Sequence, residues 1–496
     1  GISFKKFNSL EKGEKIVEVL FNKYFGKVAY ILTSNNNVFA TDNAGETFVK
    51  HADAIPADSI QLAFPLDVNA KDSSKLIYYG GSNCESIFNK DCHANAYISK
   101  DSGKTFSTLL ENAVHCEFLG STLPEADDDL IVCEVKHKDQ QYSSIVASTD
   151  YFQNDNRVIY EANSLGFVSY KNFTVFAIVE KENLRAFITM DGKEYAGVQL
   201  PKRFNDFNQR SFTIAGSTAG SIIMHLTTEM GTDMEYGALL KSNYNGTSFV
   251  TIENSVNRDE HGFIDFEYVG GLEGVFITNV VTNPGSKPKE LKTKISYNDG
   301  GIFRYLTPPT KSFKGDKYSC SGQGLEKCSL NLHGFTERHD IRDTMTSGAG
   351  VGLLIGIGNV GEGLLPYEEC ATYLSTDGGI SWEEISDKPY QYEFGDRGNL
   401  LVLASYEKTD SILYSRDQGK TWKTLKISDE PIFIHDLITN PTDSSLNFVL
   451  ICSDFTIAID FKSLYERQCS TDNAGDFAYK AVQHPDSKCI FGQEKH

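Results

Sequence analysis

"SKDSGKTF", residues 99–106, sets a hydroxyl, a carboxylate, a glycine and an aromatic ring in a fixed order. The carboxylate is suited to accept hydrogen bonds from backbone N–H groups two or three residues on, which holds a tight turn. The glycine supplies a left-handed backbone without a Cβ penalty. The ring then starts a new strand and packs between sheets. The preceding "NAYI" is strand-like, so the motif joins two strands.

The motif recurs. Copies stand as "TDNAGETF" (41–48), "STDGGISW" (375–382) and "SRDQGKTW" (415–422), with Ile302 in the threonine place of "SYNDGGIF" (296–303). Degenerate copies are "STDYF" (148–152), "TMDGKEY" (189–195) and "SNYNGTSF" (242–249), and "GISF" at residues 1–4 reads as the second half of one more. Spacings of roughly 40–60 residues match a four-stranded propeller blade. These Asp boxes make nine units, and the strand-rich stretch after Trp422 makes a tenth. The fold class is all-β: a ten-bladed β-propeller with Asp-box repeats over 1–462, its first blade entered midway, with 463–496 lying beyond the last unit. Asn43, Asp101, Asn298, Asp377 and Asp417 are structural turn-formers on this reading, not catalytic acids.

Composition narrows the function. With 40% hydrophobic and 12% aromatic residues the chain has ample material for a core, and global disorder is excluded. A formal charge of -20 argues against nucleic acid and anionic membrane surfaces as partners. No apolar run reaches the ~18 residues that would span a bilayer. Ten cysteines, several closely paired, suit an oxidising compartment. Asn172 in "NFT" and Asn245 in "NGT" are glycosylation sequons, whereas proline blocks "NPT" at Asn440. Cys84 and Cys92 are close enough in sequence to close a short insertion.

The stretches "CSGQGLEKCSLNLHGFTER" (320–338), "GVGLLIGIGNVGEGLL" (350–365), "YLSTDGGISWEEI" (373–385), "YEFGDRGNLLVLA" (392–404) and "TIAIDFKSLYERQC" (456–469) resemble the sortilin family of vacuolar-protein-sorting receptors. The acidic, box-degenerate sequence is most similar to fungal members that sort vacuolar carboxypeptidase. The resemblance implies a ten-bladed propeller with a wide central tunnel and the start of a ten-cysteine module. It implies the bridges Cys116–Cys133 and Cys320–Cys328; Cys370, Cys452, Cys469 and Cys489 stay open. It also implies a luminal receptor domain, not an enzyme, that binds soluble vacuolar hydrolase precursors through a carboxypeptidase propeptide-like segment. Its place would be the secretory lumen of the Golgi and endosome, and it would touch the membrane only through a helix outside this chain. No cofactor or metal is implied.

A family member holds a ligand's C-terminal carboxylate with an arginine, and the matching stretch "SVNRDEHGFIDFEYVGGLEGVFI" (255–277) puts Arg258 in that place. A guanidinium fork suits a carboxylate. Ser255 and His261 flank it as further ligand-binding candidates, and protonation of His261 would add positive charge there. The bland alternative is that Arg258 pairs with Asp259 or Glu260. A sialidase-like glycosidase needs three converging arginines and an F/Y-R-I-P opening; the chain has 11 arginines but not that motif, for which "GIFRYL" (301–306) is no substitute, and a lectin-like adhesion propeller is the other competing reading. "HGFTERH" (333–339) reads as a loop with surface histidines, and "GIGNVGEG" as glycines for close strand packing rather than a phosphate loop.

Overall fold

The computed structural model describes residues 7–52, 54–55, 66–82, 93–136, 140–180, 183–204, 212–218, 220–231, 233–338, 350–439, 445–465, 467–468 and 489–490. Antiparallel strands dominate them. Among the described residues α-helix is confined to the single turns Leu119–Thr122 and Phe335–Arg338, and no helix is long and apolar enough to cross a membrane. The chain divides into two compact units, one of Lys6–Ile223 with Ser242–Val250, the other of Met224–Lys241 with Thr251–His496.

In the first unit, β1 (Ile16–Phe21), β2 (Ala29–Thr33), β3 (Val38–Thr41) and β4 (Val49–His51) form one meander. β5 (Leu66–Val68), β6 (Leu76–Ser82), β7 (His93–Ser99) and β8 (Ser107–Leu110) form the next. β9 (Ala113–Glu117), β10 (Ile131–Val135), β11 (Ser143–Ser148), β12 (Arg157–Tyr170), β13 (Phe173–Glu180), β14 (Asn183–Thr189) and β15 (Ala196–Gly197) are hydrogen-bonded in chain order. The long β12 serves two meanders. Its start pairs with β11 and its end with β13, and the pairing register shifts on either side of Ser164. Ala162 (φ 52°) and Gly166 (φ 115°) provide the bend there. β16 (Phe212–Thr218) follows.

The second unit repeats the pattern. β17 (Ser221–Glu229), β18 (Tyr236–Ser242) and β19 (Phe249–Asn257), most of whose residues belong to it, lead into β20 (Phe266–Tyr268), β21 (Phe276–Val281), β22 (Leu291–Ser296) and β23 (Arg304–Tyr305). Then come the meanders β24 (Ser329–Leu332), β25 (Leu354–Gly361), β26 (Ala371–Ser375), β27 (Glu383–Ser386) and β28 (Tyr390–Gly395), β29 (Leu400–Ser405), β30 (Ser411–Ser415), β31 (Lys423–Lys426). A three-stranded sheet of β32 (Ile434–Ile438), β33 (Asn447–Cys452) and β34 (Thr456–Asp460) follows. Beyond Tyr465 only a short parallel pairing of 467–468 with 489–490 is described. Most of the segment read as a cysteine module therefore lies outside the described residues, as do the half-box at 1–4 and Cys84–Cys92.

Strand alternation explains how neighbouring sheets stack. On β6, Leu76 and Tyr78 face Tyr30, Leu32 and Val38 of the first meander, while Ile77 and Tyr79 face Ile131 and Cys133 of the third. On β29, Leu401 and Leu403 pack with Ile355 and Ile357 of β25, and Leu400, Val402 and Ala404 pack with Phe448 and Leu450 of β33. The sheets built around β6 and β29 are thus apolar on both faces, and each face has a different sequential neighbour.

The box turns share one hydrogen-bond plan. In 99–106 the Ser99 hydroxyl donates to Asp101 Oδ1 (2.8 Å) and accepts from Gly103 N–H (2.9 Å). Asp101 also accepts from Thr105 N–H (3.0 Å) and the Thr105 hydroxyl (2.8 Å). The same set recurs at Ser375, Asp377, Gly379 and Ser381 and at Ser415, Asp417, Gly419 and Thr421. Thr41–Asn43 and Ser296–Asn298 repeat it with amides. The principal amide donor sits four residues after the acid, further than the two or three expected, because two successive left-handed residues carry the chain round the carboxylate. In the founding copy these are Ser102 (φ 64°) and Gly103 (φ 82°), the φ pattern of a type I′ turn. In the degenerate copy at 242–249 the acceptor is Asn243, which receives Thr247 N–H at 2.9 Å, since Tyr244 stands where the acid would be. The rings pack in the layer shared with the preceding sheet: Phe106 stands edge-on to Tyr78 of its own sheet, in one cluster with Tyr30 and Leu32 of the first meander, and Trp382 clusters with Ile277 and Ile295.

Asp101→Ala removes the acceptor for three donors on a part-exposed turn, so unfolding free energy should fall by about 1–2 kcal/mol at pH 7. Burial opposes ionisation of Asp101, but the hydrogen bonds from Thr105 and Ser99 prevail and hold its pKa below the usual value. The wild type's advantage is therefore present above about pH 4 and shrinks as the pH falls through the lowered pKa. Urea titrations at pH 7 and pH 3 check both statements.

Cys116–Cys133 and Cys320–Cys328 are bonded as the family resemblance implied, and Cys370 and Cys452 are buried outside these two bridges. "GIGNVGEG" lies in and just after β25, where a Cβ on Gly358 would stand 1.8 Å from the carbonyl oxygen of Asn331 on β24. Close strand approach accounts for that glycine. "HGFTERH" departs at His333 from the reading as a loop with surface histidines, while His339 lies outside the described residues. His333 is 2% exposed, its Nε2 3.4 Å from Cys370 Sγ, and a helical turn follows at Phe335–Arg338.

Candidate functional site

β19 and the turn after it carry Arg258. Ser255 has φ 54°, a left-handed residue near the end of β19, whose Val256 then pairs with Val280 of β21. Arg258 forms an isolated antiparallel bridge with Ile264, and between them the Asp259 carboxylate closes the turn. Asp259 Oδ1 accepts from the backbone N–H groups of His261 (3.0 Å) and Phe263 (2.8 Å). Gly262 completes the turn at φ 96°, and a Cβ there would lie 3.1 Å from Arg258 Nη2. The glycine leaves room for the guanidinium.

Arg258 is half-buried. Its Nη1 donates to the hydroxyl of buried Thr227 at 3.3 Å, and its backbone N–H donates to the carbonyl of Glu235 at 3.3 Å. Burial lowers its pKa, opposed by the charges of Glu235 and Asp259; a guanidinium remains charged regardless. The bland alternative named Asp259 and Glu260 as partners. In the structure Asp259 closes the turn and its charge acts on Arg258, Glu260 is exposed, and Glu235, 23 residues upstream, adds a second carboxylate charge.

His261 lies at the surface, its Nδ1 3.7 Å from Oδ2 of the turn carboxylate Asp259. The buried His225 contacts the same strand: its Nε2 is 3.2 Å from the Val256 carbonyl oxygen. Burial, helped by the Arg258 charge, depresses His225 to about 4, so it is neutral from pH 5 to 8.

Four residues overlooked in the sequence hold Arg258 in place. Asn257 is 1% exposed; its amide donates to Asp265 Oδ2 (2.9 Å) and to the Thr336 hydroxyl oxygen (2.8 Å). Its Oδ1 accepts from Lys289 Nζ at 2.6 Å, and the same ammonium donates to the backbone oxygens of Glu235 (3.1 Å) and Arg258 (2.9 Å). Asp265, fully buried, also accepts from Asn279 Nδ2 (3.2 Å), Thr336 N–H (2.9 Å) and the Thr336 hydroxyl (2.9 Å). A carboxylate inside the apolar run "GFIDF" is the one sequence signal that could have found it.

The sequon asparagines differ. Asn172 is exposed in the turn from β12 to β13, whereas Asn245 is half-buried and its amide oxygen accepts from the Thr247 hydroxyl at 2.7 Å.

A sequence model described as "Sortilin, neurotensin receptor 3" matches residues 1–437. An uncharacterized membrane glycoprotein of Saccharomyces cerevisiae is 45% identical over 100% of this chain and 45% of its own length. The vacuolar protein sorting/targeting protein PEP1 of the same species is 43% identical over 100% of this chain and 32% of its own. The chain thus spans a third to under half of the curated relatives it matches. Among solved structures, a xyloglucanase from Xanthomonas campestris aligns over 88% of this chain and 76% of its own at 12% identity and a TM-score of 0.35, too faint to carry an argument.

Proposed function

From the premise that this chain belongs to the sortilin–Vps10 family, we propose that it is the luminal ligand-binding part of a sorting receptor for soluble vacuolar hydrolase precursors. Its relatives in Saccharomyces cerevisiae and Kluyveromyces lactis that carry a functional name are named for vacuolar sorting and targeting, not for a reaction. The reading takes the stacked meanders as blades of a ten-bladed propeller. A peptide or propeptide segment enters its tunnel, and the receptor travels between Golgi and endosome, anchored by a membrane helix outside this chain. Asn172 and Asn245 are the proposed glycan sites.

The observation that carries the reading is Arg258. It is half-buried on a strand end whose backbone is pinned by Lys289 and Asn257, with a glycine leaving space at its fork. Such a guanidinium holds a carboxylate through charge-assisted bonds, and partial burial strengthens them. The Thr227 hydroxyl orients the fork, and Ser255 and His261 flank it. Binding of a vacuolar carboxypeptidase propeptide to wild type and to Arg258→Ala tests the proposal. Loss of about 2–5 kcal/mol, roughly 30-fold or more in Kd, is expected when one partner of a desolvated charge pair is truncated. Equal affinity of both proteins would move the site elsewhere, and no binding to either would sink this cargo.

A further inference from the structure

A cavity of about 580 Å³ lies in the first unit, away from Arg258 in sequence and lined by side chains of four meanders. Lys23 and Tyr24 come from the turn after β1, Asp67 from β5, Glu117 from the end of β9, and Lys171 from the turn after β12. Its volume falls in the range of small-ligand sites.

The two carboxylates differ in how well they are neutralised. Glu117 Oε1 is 3.2 Å from His115 Nε2, and Ser169 also hydrogen-bonds to the carboxylate. The His115 ring is in turn stacked on Phe167 at 4.5 Å. Asp67 Oδ2 accepts from the Phe118 backbone N–H at 3.1 Å, and its Oδ1 is 3.9 Å from Lys23 Nζ. Lys23 is 63% exposed, while its ammonium stands 5.1 Å from the centre of the Tyr24 ring. A largely exposed ammonium, hydrogen-bonded to the Tyr24 side chain, therefore rests between a carboxylate and an aromatic ring, an arrangement that recognises cations.

We propose that this cavity binds the ammonium or guanidinium group of a basic side chain on a protein ligand, with Asp67 as its counter-charge, Tyr24 as its aromatic wall, and Lys23 as the internal stand-in that it displaces. The site is independent of the Arg258 reading, because it recognises the opposite charge with different residues.

The groups acting on Asp67 are Glu117, Lys23 and His115, with Tyr79 and Tyr24 nearby. Burial first, then the Glu117 charge, push Asp67 up to about 6 against Lys23 and the Phe118 amide. A protonated Asp67 holds no cation, so binding is full above about pH 7 and is lost as the pH falls through 6. The charge of protonated His115 repels the cation directly, while it also favours the ionised form of Asp67.

The test is calorimetric binding of N-acetyl-Gly-Lys-Gly amide, its arginine and norleucine counterparts, and spermidine to the whole chain at pH 7.5 and pH 5. Lysine or arginine peptide should bind at least about 10-fold more tightly than norleucine at pH 7.5 and lose that margin at pH 5. Lys23→Gln, a change at an exposed side chain, should tighten binding about 3- to 10-fold. Asp67→Asn should abolish the preference for the basic peptide at both pH values, and Arg258→Ala should leave it unchanged. Norleucine binding as well as lysine, or Lys23→Gln binding no more tightly than wild type, overturns the proposal. Spermidine binding about 10-fold more tightly than either basic peptide would overturn the protein-ligand assignment.

Discussion

Asp265→Ala is expected to destabilise the protein by about 3–5 kcal/mol, the scale seen when a buried charged group is removed from its partners. The carboxylate is fully buried and gathers donors from Asn257, Asn279 and Thr336. Without it, Asn257 keeps the Thr336 hydroxyl and Asn279 keeps the Leu332 carbonyl. Thr336 N–H loses the acceptor at 2.9 Å and gains none. Each buried donor left unmatched costs about 1–3 kcal/mol. Asp265→Asn keeps one acceptor oxygen and should recover about half of the loss. Since Asn257 and Lys289 connect this network to the Arg258 backbone, carboxylate-ligand affinity should fall with stability. A urea midpoint for Asp265→Ala close to wild type would show that the network does not hold the segment.

The second large effect concerns Cys116 and Cys133. They stand directly opposite on β9 and β10, both fully buried, 17 residues apart in sequence. Closing a loop of that length removes unfolded-state entropy worth about 3 kcal/mol. The double substitution to alanine also leaves sulfur-sized gaps between the meanders that meet at Ile77, Tyr79 and Ile131. The expected loss is about 3–4 kcal/mol. Removing Cys320–Cys328, separated by 8 residues, should cost less, near 2.5 kcal/mol. Equal unfolding midpoints for the first double variant and wild type would contradict this account.

The all-β class and the box turns were legible because their signal is local. Ser99, Asp101, Gly103 and Thr105 make the whole turn within seven residues, and hydrogen bonds of that reach repeat wherever the spacing does. The degenerate copy at 242–249 was legible as a turn but not in detail, because Asn243 replaces the acid as acceptor a residue early. Arg258 was found only through resemblance. Its supports were not found at all, because Asp265 meets Thr336 across 71 residues and Lys289 meets Asn257 across 32. The same holds for His333. Polar neighbours in sequence suggested a surface, whereas Cys370, 37 residues on, and the Tyr367 ring enclose it. Periodicity and turn chemistry report contacts within a hairpin. They are silent on polar groups that find each other between meanders.

Arg258 as the carboxylate anchor is the central claim, and one double-mutant cycle reaches it most directly. The affinities of a propeptide-derived peptide with a free C-terminal carboxylate, and of the same peptide amidated, would be measured on wild type and on Arg258→Ala. Amidation should weaken binding to wild type by roughly 30-fold and leave binding to the variant nearly unchanged, a coupling of about 2 kcal/mol. An equal penalty for amidation in both proteins would show that Arg258 does not meet the carboxylate.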